Sequence, residues 1–163
     1  MDKFYVSVDN GVGGGLVALD ADGNVRAKLV MPLHTVRGRS EVDVVAVADW
    51  LLVNGLTTDK TTVVIEEPGG SQSAKAASSM AGSFHALRAT FALLRYKWLR
   101  ITPQSWQKPM LRCKTGDTKP AAAALVVSLW PDEDWRASPR CKVMHSGLVD
   151  AAIIAEQARR MRF

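Results

Sequence analysis

A chain of 163 residues with 47% hydrophobic content holds enough apolar material for one domain, residues 1–163, with a substantial core. Its formal net charge of +5 is unevenly spread: residues 1–67 carry 6 Lys+Arg against 10 Asp+Glu, a net of −4, and residues 68–163 carry 15 against 6, a net of +9, so the second half is the candidate polyanion surface. No apolar run reaches bilayer-spanning length, Met1-Asp2-Lys3 does not open a secretory signal, and Cys113 and Cys141 lack zinc-ligand spacing and read as free thiols.

The stretch from Phe4 to Asp20 reads as two short strands joined by a glycine-rich turn. Phe4, Val6 and Val8 alternate with Tyr5, Ser7 and Asp9, the period of a strand with two distinct faces. Gly11 and Gly13 to Gly15 let the chain reverse. An acid at the carboxyl end of a central strand sits where open α/β sheets place their ligands. Asp9-Asn10-Gly11 is equally ordinary turn chemistry, and on this stretch alone both readings stand. The turn cluster Asp20-Ala21-Asp22-Gly23-Asn24 then leads into a third strand, Val25 to Met31, completing an antiparallel meander.

Pro32 to Arg39 reads as a solvated connection with His34, Arg37 and Arg39. A packing helix is predicted from Arg39 or Ser40, with Val42, Val45, Val47, Ala48, Leu51 and Leu52 in its apolar stripe and Asn54-Gly55 at its end. Thr61 to Glu66 is β-branched and apolar, a buried strand ending on Glu66-Glu67-Pro68. Alternation sends Glu66 and Glu67 to opposite faces, so only one can share a site with Asp9. Carboxylates at the end of so apolar a strand are costly to desolvate unless they meet solvent or a cation. Asp9 with a strand-end glutamate suggests a site for a hard divalent ion such as Mg²⁺.

A long helix is predicted over 71–94, with Ala74, Ala76, Ala77, Met80, Ala81, Phe84, Leu87, Phe91 and Leu94 on its core face. Gly82 within it costs about 1 kcal/mol relative to alanine, a cost usually accepted for close packing. After a short strand at 98–101, residues 95–119 carry seven cations (Arg95, Lys97, Arg100, Lys108, Arg112, Lys114 and Lys119) against Asp117, with Trp98 and Trp106 interleaved. A short helix opens at Thr102-Pro103, and a polar loop delivers Lys119 to the start of an alanine-rich helix over 118–130. A lysine at a helix N-terminus makes a phosphate site, and the segment favours nucleic acid over a merely solvated surface. The last helix starts near His145. Asp150 lies among Leu148, Ala151, Ala152, Ile154 and Ala155, and metal coordination is one explanation for an aspartate there. Ser146, four residues earlier, shares its face. Arg159, Arg160 and Arg162 form a basic tail that complements the helix dipole or touches nucleic acid.

Asp9 on the first strand of a meander, Ile65-Glu66 on the fourth strand, and His145…Asp150-Ala151 on a closing helix together resemble the RuvC-like Holliday junction resolvases of the RNase H-like superfamily, phage-type members above all. Thr102-Pro103-Gln104-Ser105-Trp106-Gln107-Lys108 and Gly116-Asp117-Thr118-Lys119-Pro120 resemble the same group, and the likeness covers nearly the whole chain. It implies an α/β fold with a mixed five-stranded sheet, an antiparallel three-strand meander plus two parallel strands, flanked by helices. It also implies a homodimer in the bacterial cytoplasm that cleaves four-way or other branched DNA with Mg²⁺ or Mn²⁺. Carried over by position, Asp9, Glu66 and Asp150 become metal ligands and His145 a catalytic residue. Lys119 and Lys114 become contacts to the DNA backbone, joined by Lys108 and Arg112 of the same basic segment. Phage-type relatives place an acid directly after the histidine. This chain has Ser146, a weak neutral ligand.

Two other readings stay open. Ser146 in place of an acid fits a protein that binds junctions without cutting them. Asp9-Asn10-Gly11-Val12-Gly13-Gly14 resembles the phosphate-binding hairpin of actin-like ATPases, although 163 residues leave no room for the second large domain such proteins need.

Overall fold

A computed structural model describes residues 3–70, 73–113 and 118–163. The meander forms as its sequence pattern requires: β1 (Phe4–Asp9), β2 (Gly15–Asp20) and β3 (Val25–Val30) pair antiparallel in chain order. Two further strands, β6 (Thr61–Glu66) and β7 (Lys97–Ile101), extend the sheet in parallel from β1, giving the order β3-β2-β1-β6-β7. This is the mixed five-stranded sheet expected.

Residues 33–42 depart from expectation. The connection is a two-stranded hairpin, β4 (Leu33–Val36) with β5 (Arg39–Val42), and the helix starts later, as α1 (Val44–Val53). Arg37 and Gly38 form its two-residue turn with φ of 48° and 76°, the left-handed pair that a tight hairpin requires. Asp43 caps α1 by accepting from the Val45 and Ala46 amides at 3.1 and 3.0 Å. The hairpin is almost wholly exposed, so it lacks the buried alternation by which a strand is recognised.

Strand alternation divides the interior into two cores. Val6, Val8, Leu16, Ala18, Val63 and Ile65 face α1 and α2 (Ala74–Leu93), meeting Val47, Leu51, Phe84, Leu87 and Phe91. Tyr5, Val17, Leu19 and Val64 face the opposite way, toward α3 (Pro103–Leu111), α4 (Thr118–Leu129) and α5 (Ser146–Arg160). Helix α5 is buried from Gly147 to Ala158 except at the half-buried Asp150, and it lies across β1 and β2. Ser7 is its seat: the hydroxyl donates to the Ala151 carbonyl from a fully buried position.

Helix α2 is less embedded than its small residues imply. Ala74, Ala76, Ala77 and Leu94 are exposed, and a Cβ at Gly82 would meet nothing within 4 Å. Gly82 is therefore not explained by close packing inside the chain. It lines a groove of about 600 Å³ between α2 and the β4–β5 hairpin. Arg159 and Arg160 of the basic tail fold back on the buried Glu156, with nitrogen–oxygen distances of 2.7 Å. Both cysteines are free, and among the described residues no helix is long and apolar enough to cross a membrane.

Candidate active site

Register brings the first two acids together. Val8 pairs with Ile65 across the parallel β1–β6 ladder, so Asp9 and Glu66 follow side by side at the carboxyl ends of their strands. Asp9 continues the Tyr5–Ser7 face and Glu66 continues the Val64 face, and both faces look toward α5. Glu67, one residue on, points away and pairs with Arg100 at 3.2 Å. The two carboxyls hydrogen-bond to each other.

Asp150 approaches from α5. The approach is set by glycine against glycine: a Cβ at Gly147 would lie 2.5 Å from the Gly13 carbonyl oxygen and from the Gly14 carbonyl carbon. A Cβ at Gly14 would lie 2.0 Å from the Asp9 carbonyl oxygen. The glycine turn thus does more than reverse the chain. It lets the first turn of α5 settle onto the β1–β2 hairpin, which brings Asp150 to the acidic end of β1.

Burial raises all three carboxyls. Burial pushes Asp9 up to about 9, helped by the charges of Glu66 and Asp150. Burial and Glu66 push Asp150 up to about 6, while Lys119 pulls it down. Glu66 is raised by burial against the lowering effect of its Trp106 hydrogen bond. Together they form a concentration of negative charge with little protein cation to balance it, a donor set of hard oxygens that fits a divalent ion. Asp150 reaches the pair as charge rather than through a hydrogen bond. Among the described residues no group of three or more His, Cys, Asp or Glu side chains is drawn together closely enough to hold a metal ion. The fit to a divalent ion lies in the chemistry of the oxygen donors alone.

His145 is the N-cap of α5: its Nδ1 accepts from the Leu148 amide at 3.2 Å, and burial lowers its pKa. The ring is therefore neutral, with its proton on Nε2. Ser146, which the sequence offered as a weak ligand, is the first residue of the helix and exposed, next to the capping His145. Lys119 lies in the first turn of α4, close enough to Asp150 for their charges to interact. Lys108 and Arg112 are exposed on α3 and at its C-cap, and Lys114 lies outside the described residues.

Two residues went unnoticed in the sequence. Trp106, interleaved there with the cations of residues 95–119, is buried, and its Nε1 donates to Glu66 Oε1 at 2.6 Å. A tryptophan in a short helix directly after a strand that ends on the buried Ile101 was the available signal, because a buried indole N–H seeks an acceptor. Asn10, beside Asp9, is buried too, donating from Nδ2 to the Met80 carbonyl at 3.0 Å.

No protein-family model and no curated protein sequence matches the chain. Among solved structures it is similar to a RuvC of Thermus thermophilus in complex with a Holliday junction substrate, at 17% identity and a TM-score of 0.66, covering 98% of this chain and 96% of that one. A second Thermus thermophilus RuvC structure matches at 19% identity and a TM-score of 0.58, with the same coverage. The fold is that of the RuvC resolvases, an RNase H-like fold, over nearly the full length of both chains.

Proposed function

We propose that this chain is a structure-selective endonuclease that cleaves Holliday junctions or related branched DNA with Mg²⁺ or Mn²⁺. The observation that carries the reading is the electrostatic proximity of Asp9, Glu66 and Asp150 at one end of a RuvC-type sheet, each carboxyl raised first by burial. Asp9, Glu66 and Asp150 would hold the cation, with Ser146 at the rim on the Asp150 face of α5. When bound, divalent ions activate water and stabilise the leaving oxygen of a phosphodiester.

The chain's own groups do the rest. Trp106 orients Glu66 from behind. Lys119, whose charge acts on Asp150, would meet the phosphate next to the scissile bond. The neutral His145 has its Nε2–H free of the capping bond and offers a donor at the same helix end. Lys108 and Arg112, with Lys114, extend a basic track for the flanking backbone. A homodimer fits a four-way junction because two copies of one site match its two-fold symmetry. The open groove between α2 and the β4–β5 hairpin supports a partner on that side of the molecule. The setting proposed is the cytoplasm of a bacterial host cell, with a phage as one source of the chain.

Incubation with a synthetic four-way junction and a linear duplex of the same sequence, with and without Mg²⁺, tests the reading. Metal-dependent symmetric nicks in the junction alone are expected. Tight junction binding with no cleavage in either Mg²⁺ or Mn²⁺ would instead identify a junction-binding protein, the reading that the neutral Ser146 favours. No preference for the junction would reject both.

A further inference from the structure

We propose that Trp106 tunes which divalent cation the carboxylate cluster accepts, by engaging one oxygen of Glu66 and leaving the other to the metal. The inference rests on the reading of Asp9, Glu66 and Asp150 as a cation site.

Trp106 is 1% exposed, and its Nε1 donates to Glu66 Oε1 at 2.6 Å. An indole has one donor and no acceptor, so it neither ligates a metal nor exchanges protons at neutral pH. Its polar role is to orient the carboxyl. The ring is fixed for this: α3 opens on Pro103 directly after β7, and Trp106 packs in the same core as Val64, Ile101 and Val126. A short bond from a rigid, buried donor to an ionisable carboxyl is of the strong, charge-assisted kind whenever Glu66 is ionised.

Once a cation displaces the proton that Asp9 and Glu66 share, engaging Oε1 biases Glu66 toward single-oxygen binding through Oε2. Mg²⁺ takes six ligands at short distance and accepts single carboxylate oxygens. Ca²⁺ is larger, takes up to eight, and gains from both oxygens of one carboxylate. Holding Oε1 therefore disfavours Ca²⁺ more than Mg²⁺, while the fixed orientation of Oε2 suits the stricter geometry of Mg²⁺. Trp106 is a positioning residue that acts on the cation through Glu66.

Titration calorimetry of the DNA-free full chain with Mg²⁺ and with Ca²⁺ tests this, comparing the natural chain with Trp106→Phe. A second variant replaces Trp106 with 3-benzothienylalanine, which keeps the ring volume and removes the N–H, so a packing failure of the phenylalanine variant does not decide the matter. The expected result in the isostere is a roughly tenfold loss of Mg²⁺ affinity, the effect of removing an outer partner of a ligand. Ca²⁺ affinity should be unchanged or improved. Equal losses for both ions, or no change in either, would overturn the inference alone. A natural chain that binds neither ion would overturn the cation-site reading and this inference with it.

Discussion

In the metal-free chain, Asp9 should make stability fall as pH rises through neutrality, and Asp9→Asn should abolish that fall. Asp9 is pushed from an ordinary 3.8 up to about 9, first by burial and then by the charges of Glu66 and Asp150. Between those values the folded chain keeps a proton that the unfolded chain has released. Unfolding therefore releases a proton and is favoured by rising pH, by about 1.4 kcal/mol per pH unit. The effect is absent below pH 3.8 and complete above about 9. From pH 5 to pH 8 it amounts to about 4 kcal/mol as a ceiling, because side-chain relaxation and water entry would lessen it. Asparagine has nearly the same shape and no charge to desolvate. Urea unfolding in EDTA at pH 5, 6.5 and 8 should show the Asp9→Asn variant gaining on the natural chain with each step. The difference between the two chains removes the background from other groups, including His145, whose lowered pKa works with the opposite sign. Added Mg²⁺ should restore stability to the natural chain at pH 8 and do much less for the variant. A natural chain whose advantage over Asp9→Asn grows from pH 5 to pH 8 in EDTA would refute the picture of an uncompensated carboxylate cluster.

Three further outcomes follow from the same geometry. Gly147→Ala should destabilise the chain by about 1–3 kcal/mol in urea unfolding and weaken Mg²⁺ binding, because its Cβ has backbone and not a flexible side chain in its way. Lys119→Ala should weaken junction binding across sequences and reduce the salt dependence of that binding by about one phosphate contact; an unaltered slope would return Lys119 to the solvated surface. Ser146→Asp should raise cleavage at low Mg²⁺, measured as a leftward shift of the metal titration, since an acid one turn from Asp150 adds a charged oxygen to the same face. A titration curve left in place would make Ser146 a bystander on the exposed first turn of α5.

Much of the fold was legible because burial leaves a period in sequence. The meander, the β-branched fourth strand and the apolar closing helix each bury a face, and each was visible. The β4–β5 hairpin was hidden because Arg39-Ser40-Glu41 buries nothing, so no period marks it. The core face assigned to α2 ran too far toward its N-terminus because alanine suits both a buried and an exposed helix face, and Ala74, Ala76 and Ala77 are exposed. Trp106 was read with the surrounding lysines as part of a surface, since proximity in sequence to cations says nothing of which way a helix turns its ring. The Gly14–Gly147 contact joins residues far apart in the chain, and a glycine's role in such an approach is invisible until both backbones are placed.

The choice between Glu66 and Glu67 shows how little sequence a site needs when a sheet supplies the frame. Both are glutamates and both follow an apolar strand. The period-two alternation of β6, locked in register to β1, sends Glu66 to the α5 face with Asp9 and sends Glu67 to Arg100 on the other. A one-residue slip of β6 against β1 would exchange them, and it would also drive Val63 and Ile65 out of the core they share with Val6 and Val8. The packing of Val6, Val8, Val63 and Ile65 therefore selects the acidic residue as firmly as any contact within the site. A metal cluster built this way depends on the sheet's register, which is held by residues that never touch the ion.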